Sequence, residues 1–216
     1  MKVLAVGAHP DDIEIFMYGL LTIYKKEGHQ IHTMIATDGA KGGAVSGTKL
    51  ARKRVNEAIN GLEKLSIPIF LNLPDGELGG ELEHKKIIKE NILKIMPDLI
   101  ITHSENDYHT DHKSLSLITK EVVSHYIPIL YCDTLMGINF NPNYYVDITD
   151  HFNLKKDAIL KHKTQSPQRF VDLFELMNSY RAAQCNSPKG RYAEAYSFVP
   201  SFPFSDIREI LPSPLK

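Results

Sequence analysis

Five short apolar runs recur along the first 134 residues, and a longer stretch with helical character separates each run from the next. Runs of this length between such stretches are typical of buried strands. The predicted strands are 2–8, 30–37, 67–73, 99–103 and 128–134, and the predicted helices are 11–27, 48–65, 81–95 and 112–126. Strands that alternate with helices predict a mostly parallel sheet with helices on both faces. The sequence therefore predicts an α/β, Rossmann-like fold.

A length of 216 residues fits one domain. We expect residues 1–135 to form a doubly wound core and residues 136–216 to form an irregular C-terminal extension, because apolar runs are fewer there. The elements that the sequence favours within this extension are a strand at 144–148, helices at 153–163 and 169–183, and a turn at 205–210.

The charge pattern argues against two classes of partner. The net charge is −1, so no overall field attracts nucleic acid or an anionic membrane. The first apolar run breaks at His9-Pro10-Asp11-Asp12, too early for a signal peptide, and no stretch reaches the ~20 apolar residues of a membrane span. We therefore expect a soluble, cytoplasmic protein. Two cysteines without secretory features predict no disulfide framework.

Candidate metal ligands follow two of the predicted strands. The segment 9–12, His-Pro-Asp-Asp, lies where the first strand ends and a helix begins. The segment 107–112, Asp-Tyr-His-Thr-Asp-His, follows the fourth strand after a short loop. Imidazole nitrogens and carboxylate oxygens together suit zinc or a similar divalent ion. If the strand order is 3-2-1-4-5, these two strands are neighbours at the switch point, and both segments meet in one crevice.

Each segment also has a purely structural interpretation. Asp11 and Asp12 could cap the following helix and place negative charge in its first turn. A His-x-x-His pair such as His109 and His112 is, by itself, a weak indication of metal binding. The position of both segments at the ends of apolar runs favours the metal site, because structural context is what supports a short motif.

Both segments are similar to the signature of the LmbE-like, or PIG-L-type, zinc N-deacetylase superfamily. Further matches occur in the same order at residues 37–39, 54–58, 73–78 and 161–165. The resemblance implies a zinc-dependent hydrolase that removes the N-acetyl group from an amino sugar, as in an N-acetylglucosamine conjugate. It also implies a homo-oligomer, a trimer or a hexamer. The alternatives are a hydrolase of another amide or ester, or a non-catalytic zinc- or sugar-binding protein of the same fold.

The resemblance assigns roles to residues of both segments. It implies that His9, Asp12 and His112 are the zinc ligands and that Asp11 is the general base. A His/Asp/His set leaves positions open for water and a substrate carbonyl, as a catalytic zinc requires. Fe²⁺ or Co²⁺ would accept the same ligands.

His109 has two competing interpretations. It precedes His112 by three residues, so the two rings share a face if this stretch is helical. His109 could be a fourth ligand, which would close the site. It could instead be a protonated imidazole that stabilises the oxyanion of the tetrahedral intermediate. The resemblance favours the second role.

Four further residues are candidates around this centre. The resemblance implies that Arg54 and Asp75 contact the sugar. Arg54 could instead form a surface ion pair with Glu57, and Asp75 could serve only to form a turn. Asp107 and Asp111 are candidates to orient the ligating histidines as hydrogen-bond acceptors.

Other polar residues receive no site role from the sequence. Asp38, His162 and Glu194 match positions of the family without a clear function. His103 is expected to lie outside the site, as are His29, His32, His84, His125 and His151.

Overall fold

The computed structural model describes residues 1–43, 46–123 and 125–212. The described residues contain one seven-stranded sheet in the order β3-β2-β1-β4-β5-β7-β6. The strands are β1 Lys2–Gly7, β2 Gln30–Thr37, β3 Ile69–Leu73, β4 Leu99–Thr102, β5 Ile129–Cys132, β6 Tyr144–Asp147 and β7 Ala193–Ser197. The helices are α1 Asp12–Phe16, α2 Tyr18–Lys26, α3 Thr48–Leu62, α4 Leu82–Ile95, α5 Thr110–Val123, α6 Phe152–Ile159 and α7 Gln168–Gln184.

The first five strands are parallel, which confirms the predicted α/β fold. β1 pairs with β2 on one side and with β4 on the other. The order β3-β2-β1-β4-β5 is the one that the sequence argument assumed. The carboxyl ends of β1 and β4 are therefore adjacent, at the topological switch point where the strand order reverses.

Helices cover both faces of the sheet. The side chains of β1 alternate between the two apolar cores that lie between the sheet and these helices. Val3 and Ala5 pack in the core beneath α1, α2, α3, α6 and α7. Leu4 and Val6 pack in the core beneath α4 and α5. All four side chains are fully buried. Among the described residues, no helix is both long enough and apolar enough to cross a bilayer.

Residues 136–212 are more regular than the expected extension. β6 and β7 continue the same sheet, and β7 pairs antiparallel with both β5 and β6. Regular helices and short 3₁₀ turns connect these strands. The sequence did not predict β7, because the carboxylate of Glu194 interrupts the apolar pattern of this strand. Residues 213–216 of this extension lie outside the described residues.

The single helix expected over 11–27 is divided into α1 and α2 at Met17 (φ −129°, ψ −8°). Glu194 provides the physical reason. Its carboxylate accepts hydrogen bonds from the backbone amides of Gly19 (2.9 Å) and Leu20 (2.8 Å), at the start of α2. These amides have no partner within their own helix, and an anion at a helix N-terminus is stabilised by the helix dipole. Lys155 Nζ also contacts this carboxylate, at 2.7 Å.

We predict that Glu194→Gln lowers the free energy of unfolding by about 3–5 kcal/mol. The substitution keeps the shape of the side chain but removes the charge that Lys155 contacts, and both residues are at least 98 % buried. Urea denaturation measures the change. The matched control is Glu175→Gln, which disrupts the half-exposed Glu175–Lys156 pair and should cost less than about 1 kcal/mol. Equal stability of the two variants would contradict the anchoring role.

Candidate metal and substrate site

A pocket of about 460 Å³ opens at the carboxyl ends of β1 and β4. This volume lies within the range of about 300–1,000 Å³ that is usual for small-molecule sites. Its lining includes most of the site residues predicted from the sequence, namely His9, Asp11, Asp12, Arg54, Asp75, His109 and His112. Leu135, in the turn after β5, also lines it, and the C-terminal third contributes Gln165, Arg169 and Phe170.

The side chains of the three predicted ligands converge at the centre of the site, where one nitrogen of each imidazole faces the two carboxylate oxygens of Asp12. His112 Nε2 lies 3.3 Å from His9 Nδ1 and 3.3 Å from Asp12 Oδ1. His9 Nδ1 lies 3.4 Å from Asp12 Oδ2. Nitrogen and oxygen ligands of a tetrahedral zinc are about 3.4 Å apart when each lies about 2.1 Å from the ion. The spacing and chemistry of this set therefore fit one divalent cation.

The electrostatics of these groups show that the centre favours positive charge. Burial by itself lowers the pKa of His112, but Asp12 and the hydrogen bond with Asp107 outweigh burial and raise this pKa to about 9. Burial lowers the pKa of His9, but the hydrogen bonds that its ring donates to surrounding carboxylates outweigh burial and raise this pKa well above its ordinary value. A bound divalent cation would replace the protons on these two rings and supply the same positive charge.

A second set of carboxylates surrounds the imidazoles on the side away from the centre. His9 Nε2 lies 3.1 Å from Asp111 Oδ2 and 3.3 Å from Asp75 Oδ1. His112 Nδ1 lies 3.0 Å from Asp107 Oδ2. Such contacts select the tautomer of each ring, so that Nδ1 of His9 and Nε2 of His112 face the centre.

Backbone amides hold these carboxylates in turn. Asp111 accepts hydrogen bonds from the amides of Gly76 (2.7 Å) and Leu78 (3.2 Å). Asp75 Oδ2 accepts one from the amide of Lys41 (2.8 Å). The pKa of Asp75 is about 2, because its hydrogen bonds with His9 and with this amide outweigh burial. Asp75 thus has a definite contact beyond the formation of its turn.

His103 does not line the pocket, but it contacts the predicted ligand Asp12, so the expectation that it lies outside the site was wrong. It is fully buried, and its Nε2 is 3.1 Å from Asp12 Oδ2. Its ring stacks on that of His112 at a centroid distance of 3.7 Å. Burial lowers the pKa of His103 to about 4, which favours the neutral ring. Its position directly after the fourth strand was the signal that could have identified it. The other five histidines line no part of the described pocket: His29, His32, His84, His125 and His151.

Asp11 is held by Arg54. The guanidinium Nη2 lies 3.1 Å from Asp11 Oδ1, and the same group donates hydrogen bonds to the carbonyls of Gly39 and Pro10. Arg54 is only 3 % exposed, so the surface ion pair with Glu57 was wrong. Burial raises the pKa of Asp11, and Arg54 opposes this rise. Asp11 makes no side-chain capping bond to α1, in contrast to its structural interpretation.

His109 stands beside this centre with one nitrogen already occupied. Its Nδ1 accepts a hydrogen bond from the backbone amide of Asp111 at 3.2 Å, so Nε2 carries the proton of a neutral ring. Burial and the nearby rings of His9 and His112 lower the pKa of His109, which disfavours the protonated imidazole expected from the sequence. His9, His109 and His112 also form a possible ligand group. The hydrogen bond at Nδ1 favours the donor interpretation, because a ring nitrogen that carries a proton cannot coordinate an ion.

The three family-matched residues without an assigned role have separate structural contacts. Glu194 anchors α2, as described above. His162 Nε2 lies 2.8 Å from Glu14 Oε1, and both side chains are buried. Asp38 Oδ1 accepts a hydrogen bond from the amide of Ala40 in the glycine-rich loop. None of these three residues lines the described pocket.

Comparison with known proteins identifies the family. A sequence profile described as PIG-L: GlcNAc-PI de-N-acetylase matches residues 4–123. The chain belongs to the PIG-L family. The diacetylchitobiose deacetylase of Thermococcus kodakarensis is 30 % identical to it over 222 aligned positions, which cover 92 % of this chain and 83 % of that protein.

Solved structures of the same fold include proteins with different chemistry. The N,N'-diacetylchitobiose deacetylase of Pyrococcus horikoshii, complexed with an inhibitor, is 25 % identical with a TM-score of 0.81, covering 92 % of this chain and 83 % of that one. The 4-carboxy-2-hydroxymuconate hydratase of Pseudomonas putida has a TM-score of 0.80 at 18 % identity, covering 92 % and 95 %. This PIG-L chain therefore shares its fold with a hydratase as well as with deacetylases, and the fold alone does not specify the reaction.

We predict that the purified protein binds one divalent cation per chain and that His112→Asn abolishes this binding. Asp107→Asn should weaken it by about 10–100-fold, because Asp107 orients His112 without touching the centre. Mass-spectrometric metal analysis after equilibration with zinc measures both effects. His32→Asn, on β2 and away from the pocket, is the control and should bind normally. Full metal occupancy in the His112→Asn variant would refute this ligand assignment.

Proposed function

We propose that this protein is a zinc-dependent N-deacetylase that removes the acetyl group from an amino sugar of the N-acetylglucosamine type. The observation that carries the proposal is the cluster of His9, Asp12 and His112, whose imidazole nitrogens and carboxylate oxygens approach each other to 3.3–3.4 Å. The carboxylate of Asp11 lines the same pocket beside this cluster. The relationship to a diacetylchitobiose deacetylase supports the substrate class.

His9, Asp12 and His112 would hold the metal ion. Bound zinc would lower the pKa of water towards about 7 and polarise the acetyl carbonyl. Fe²⁺ or Co²⁺ fits the same donor atoms. Asp107 and Asp111 would keep the two imidazoles in the tautomers that face the ion.

Asp11 acts as the general base in this proposal. Its carboxylate lines the pocket next to Asp12, and Arg54 fixes its position. Burial raises the pKa of Asp11, which makes its carboxylate a better proton acceptor, and Arg54 opposes this rise. Asp11 takes a proton from the attacking water and later returns it to the leaving amine.

His109 stabilises the negative charge that develops on the acetyl oxygen. The amide of Asp111 occupies its Nδ1, so Nε2–H is the group available as a donor. A neutral donor is sufficient, since an oxyanion is stabilised by positioned hydrogen bonds from neutral groups.

Arg54 and Asp75 border the sugar in this proposal. Both line the pocket, and both also contact a reacting or ligating residue, Asp11 and His9 respectively. Each would therefore link recognition of the sugar to the geometry of the reaction. A cytoplasmic location, a trimeric or hexameric assembly, and the absence of nucleic-acid and membrane partners stay predictions from the sequence.

We predict that the zinc-loaded protein releases acetate from N-acetylglucosamine derivatives, among them N,N'-diacetylchitobiose, and that Asp11→Asn lowers kcat about 10²–10⁴-fold with full metal occupancy. Quantification of acetate and of the free amine measures turnover. Acid release only from other amides or esters would favour the alternative hydrolase. Binding of zinc and sugar without any turnover would favour the non-catalytic alternative.

We predict that His109→Gln lowers kcat by about 10²–10³-fold, the usual cost of losing one oxyanion donor, and leaves zinc binding intact. The substitution removes the imidazole but keeps a polar side chain. Steady-state kinetics and metal analysis of the same preparation test both statements. Loss of zinc from this variant would instead identify His109 as a fourth ligand.

A further inference from the structure

We propose that Gln165 binds the amino sugar through its side-chain oxygen, Oε1, as the acceptor for a hydroxyl or N–H donor of the substrate. We further propose that Glu57 and Thr164 are positioning residues that fix this orientation of the amide. The inference rests on the proposed function, because it concerns the substrate of the same pocket.

Gln165 belongs to a short 3₁₀ turn, Lys163–Gln165, between α6 and α7. The residue is 9 % exposed, and it lines the pocket that also contains Asp11 and His109. The C-terminal third thus delivers an amide group to a site whose other polar groups come mainly from the first 112 residues.

Hydrogen bonds determine whether the oxygen or the nitrogen of the Gln165 side-chain amide faces away from the turn. Glu57 accepts two of them from Thr164, from the backbone amide at 2.9 Å and from the hydroxyl at 2.6 Å. An ionised carboxylate can only accept, so the hydroxyl hydrogen of Thr164 is committed to Glu57.

The oxygen of that hydroxyl must then act as the acceptor for its other neighbour. This neighbour is Gln165 Nε2, at 3.1 Å from Thr164 Oγ1. The amide nitrogen of Gln165 is therefore turned towards Thr164, and Oε1 is turned away from it. The opposite amide orientation would place two acceptors against each other.

Oε1 of Gln165 accepts no hydrogen bond from the part of the chain that the structure describes. It is not among the fully enclosed side-chain atoms that lack a partner, so a molecule in the pocket can reach it. A bound substrate that displaces water from this acceptor must supply a donor in its place, because an unsatisfied polar group costs free energy. An N-acetylated amino sugar offers several hydroxyl groups and one amide N–H. Since the carboxamide is neutral, it can accept from these groups without adding negative charge to a pocket that already contains several carboxylates.

One helix positions groups for both the reaction and the proposed recognition. Arg54 and Glu57 lie three residues apart on α3, so they project from neighbouring positions of its surface. Arg54 holds Asp11, and Glu57 holds the turn that carries Gln165. A shift of α3 would therefore move the general base and the proposed sugar contact together.

The first test compares Gln165→Met with Gln168→Met in the zinc-loaded protein. Methionine keeps the length of the side chain and removes its hydrogen-bonding groups. We expect Gln165→Met to lower kcat/KM for N-acetylglucosamine derivatives about tenfold, with zinc content and melting temperature unchanged. Gln168 is exposed and bonds only to Asp172 among the described residues, so its variant should behave like the wild type.

Substrate analogues identify the donor. Monodeoxy derivatives and an analogue with a methylated acetamide nitrogen each remove one candidate hydrogen. The analogue that lacks the relevant donor should lose about tenfold in kcat/KM with the wild type and show little further loss with Gln165→Met. Equal losses with both proteins for every analogue would overturn the proposed contact.

The second test concerns the positioning residues. Thr164→Val keeps the shape of the side chain but removes the hydroxyl that orients the amide. We expect it to lower kcat/KM by less than Gln165→Met does, and to have no added effect in the double variant, because both substitutions remove one interaction. Additive effects of the two substitutions would contradict the positioning role of Thr164.

The outcomes separate this inference from the proposed function. Turnover by the wild type with unchanged kinetics of Gln165→Met would refute the inference alone. If the wild type hydrolyses no amino sugar, the proposed function fails, and calorimetric binding of N-acetylglucosamine to the zinc-loaded wild type and to Gln165→Met then decides the role of Gln165. Equal affinity of the two proteins, or no binding by the wild type, would refute it.

Discussion

The site depends on a concentration of buried negative charge around two imidazole rings. Asp12 faces Nδ1 of His9 and Nε2 of His112, while Asp111 and Asp107, respectively, contact the opposite sides of the same rings. Buried carboxylates are costly without compensating positive charge. This requirement raises the pKa of both histidines and equally favours a divalent cation, so the electrostatics of the fold and the proposed zinc chemistry have one cause.

Segments from separate parts of the chain keep that cluster in place. The adjacency of β1 and β4 brings the two ligand segments together. Glu194, on an antiparallel strand of the C-terminal third, accepts hydrogen bonds from two of the first amides of α2, the helix that follows α1 directly. On the other side, α3 carries Arg54 against Asp11. The proposed base is therefore fixed by Arg54 of α3, and the helices that follow it are anchored to β7.

Much of this architecture could be predicted from local patterns. Alternating apolar runs and helical stretches indicated the parallel strands, although their order in the sheet was only assumed, and the polar segments 9–12 and 107–112 indicated where a site would form. Other features could not be predicted in this way. β7 contains a buried glutamate, which no strand pattern favours, and the break at Met17 depends on that distant carboxylate. The role of His103 required knowing that its ring stacks on His112.

The sequence by itself determined the order of the strands and helices and the chemical types of side chain at the edge of the sheet, because both follow from residues close together in the chain. Only the tertiary structure decided which groups meet there. Arg54 contacts Asp11 rather than Glu57, and Gln165 joins the pocket from the C-terminal third. These contacts join residues far apart in the sequence, and their free energies depend on burial and on distances between atoms, which no local pattern specifies.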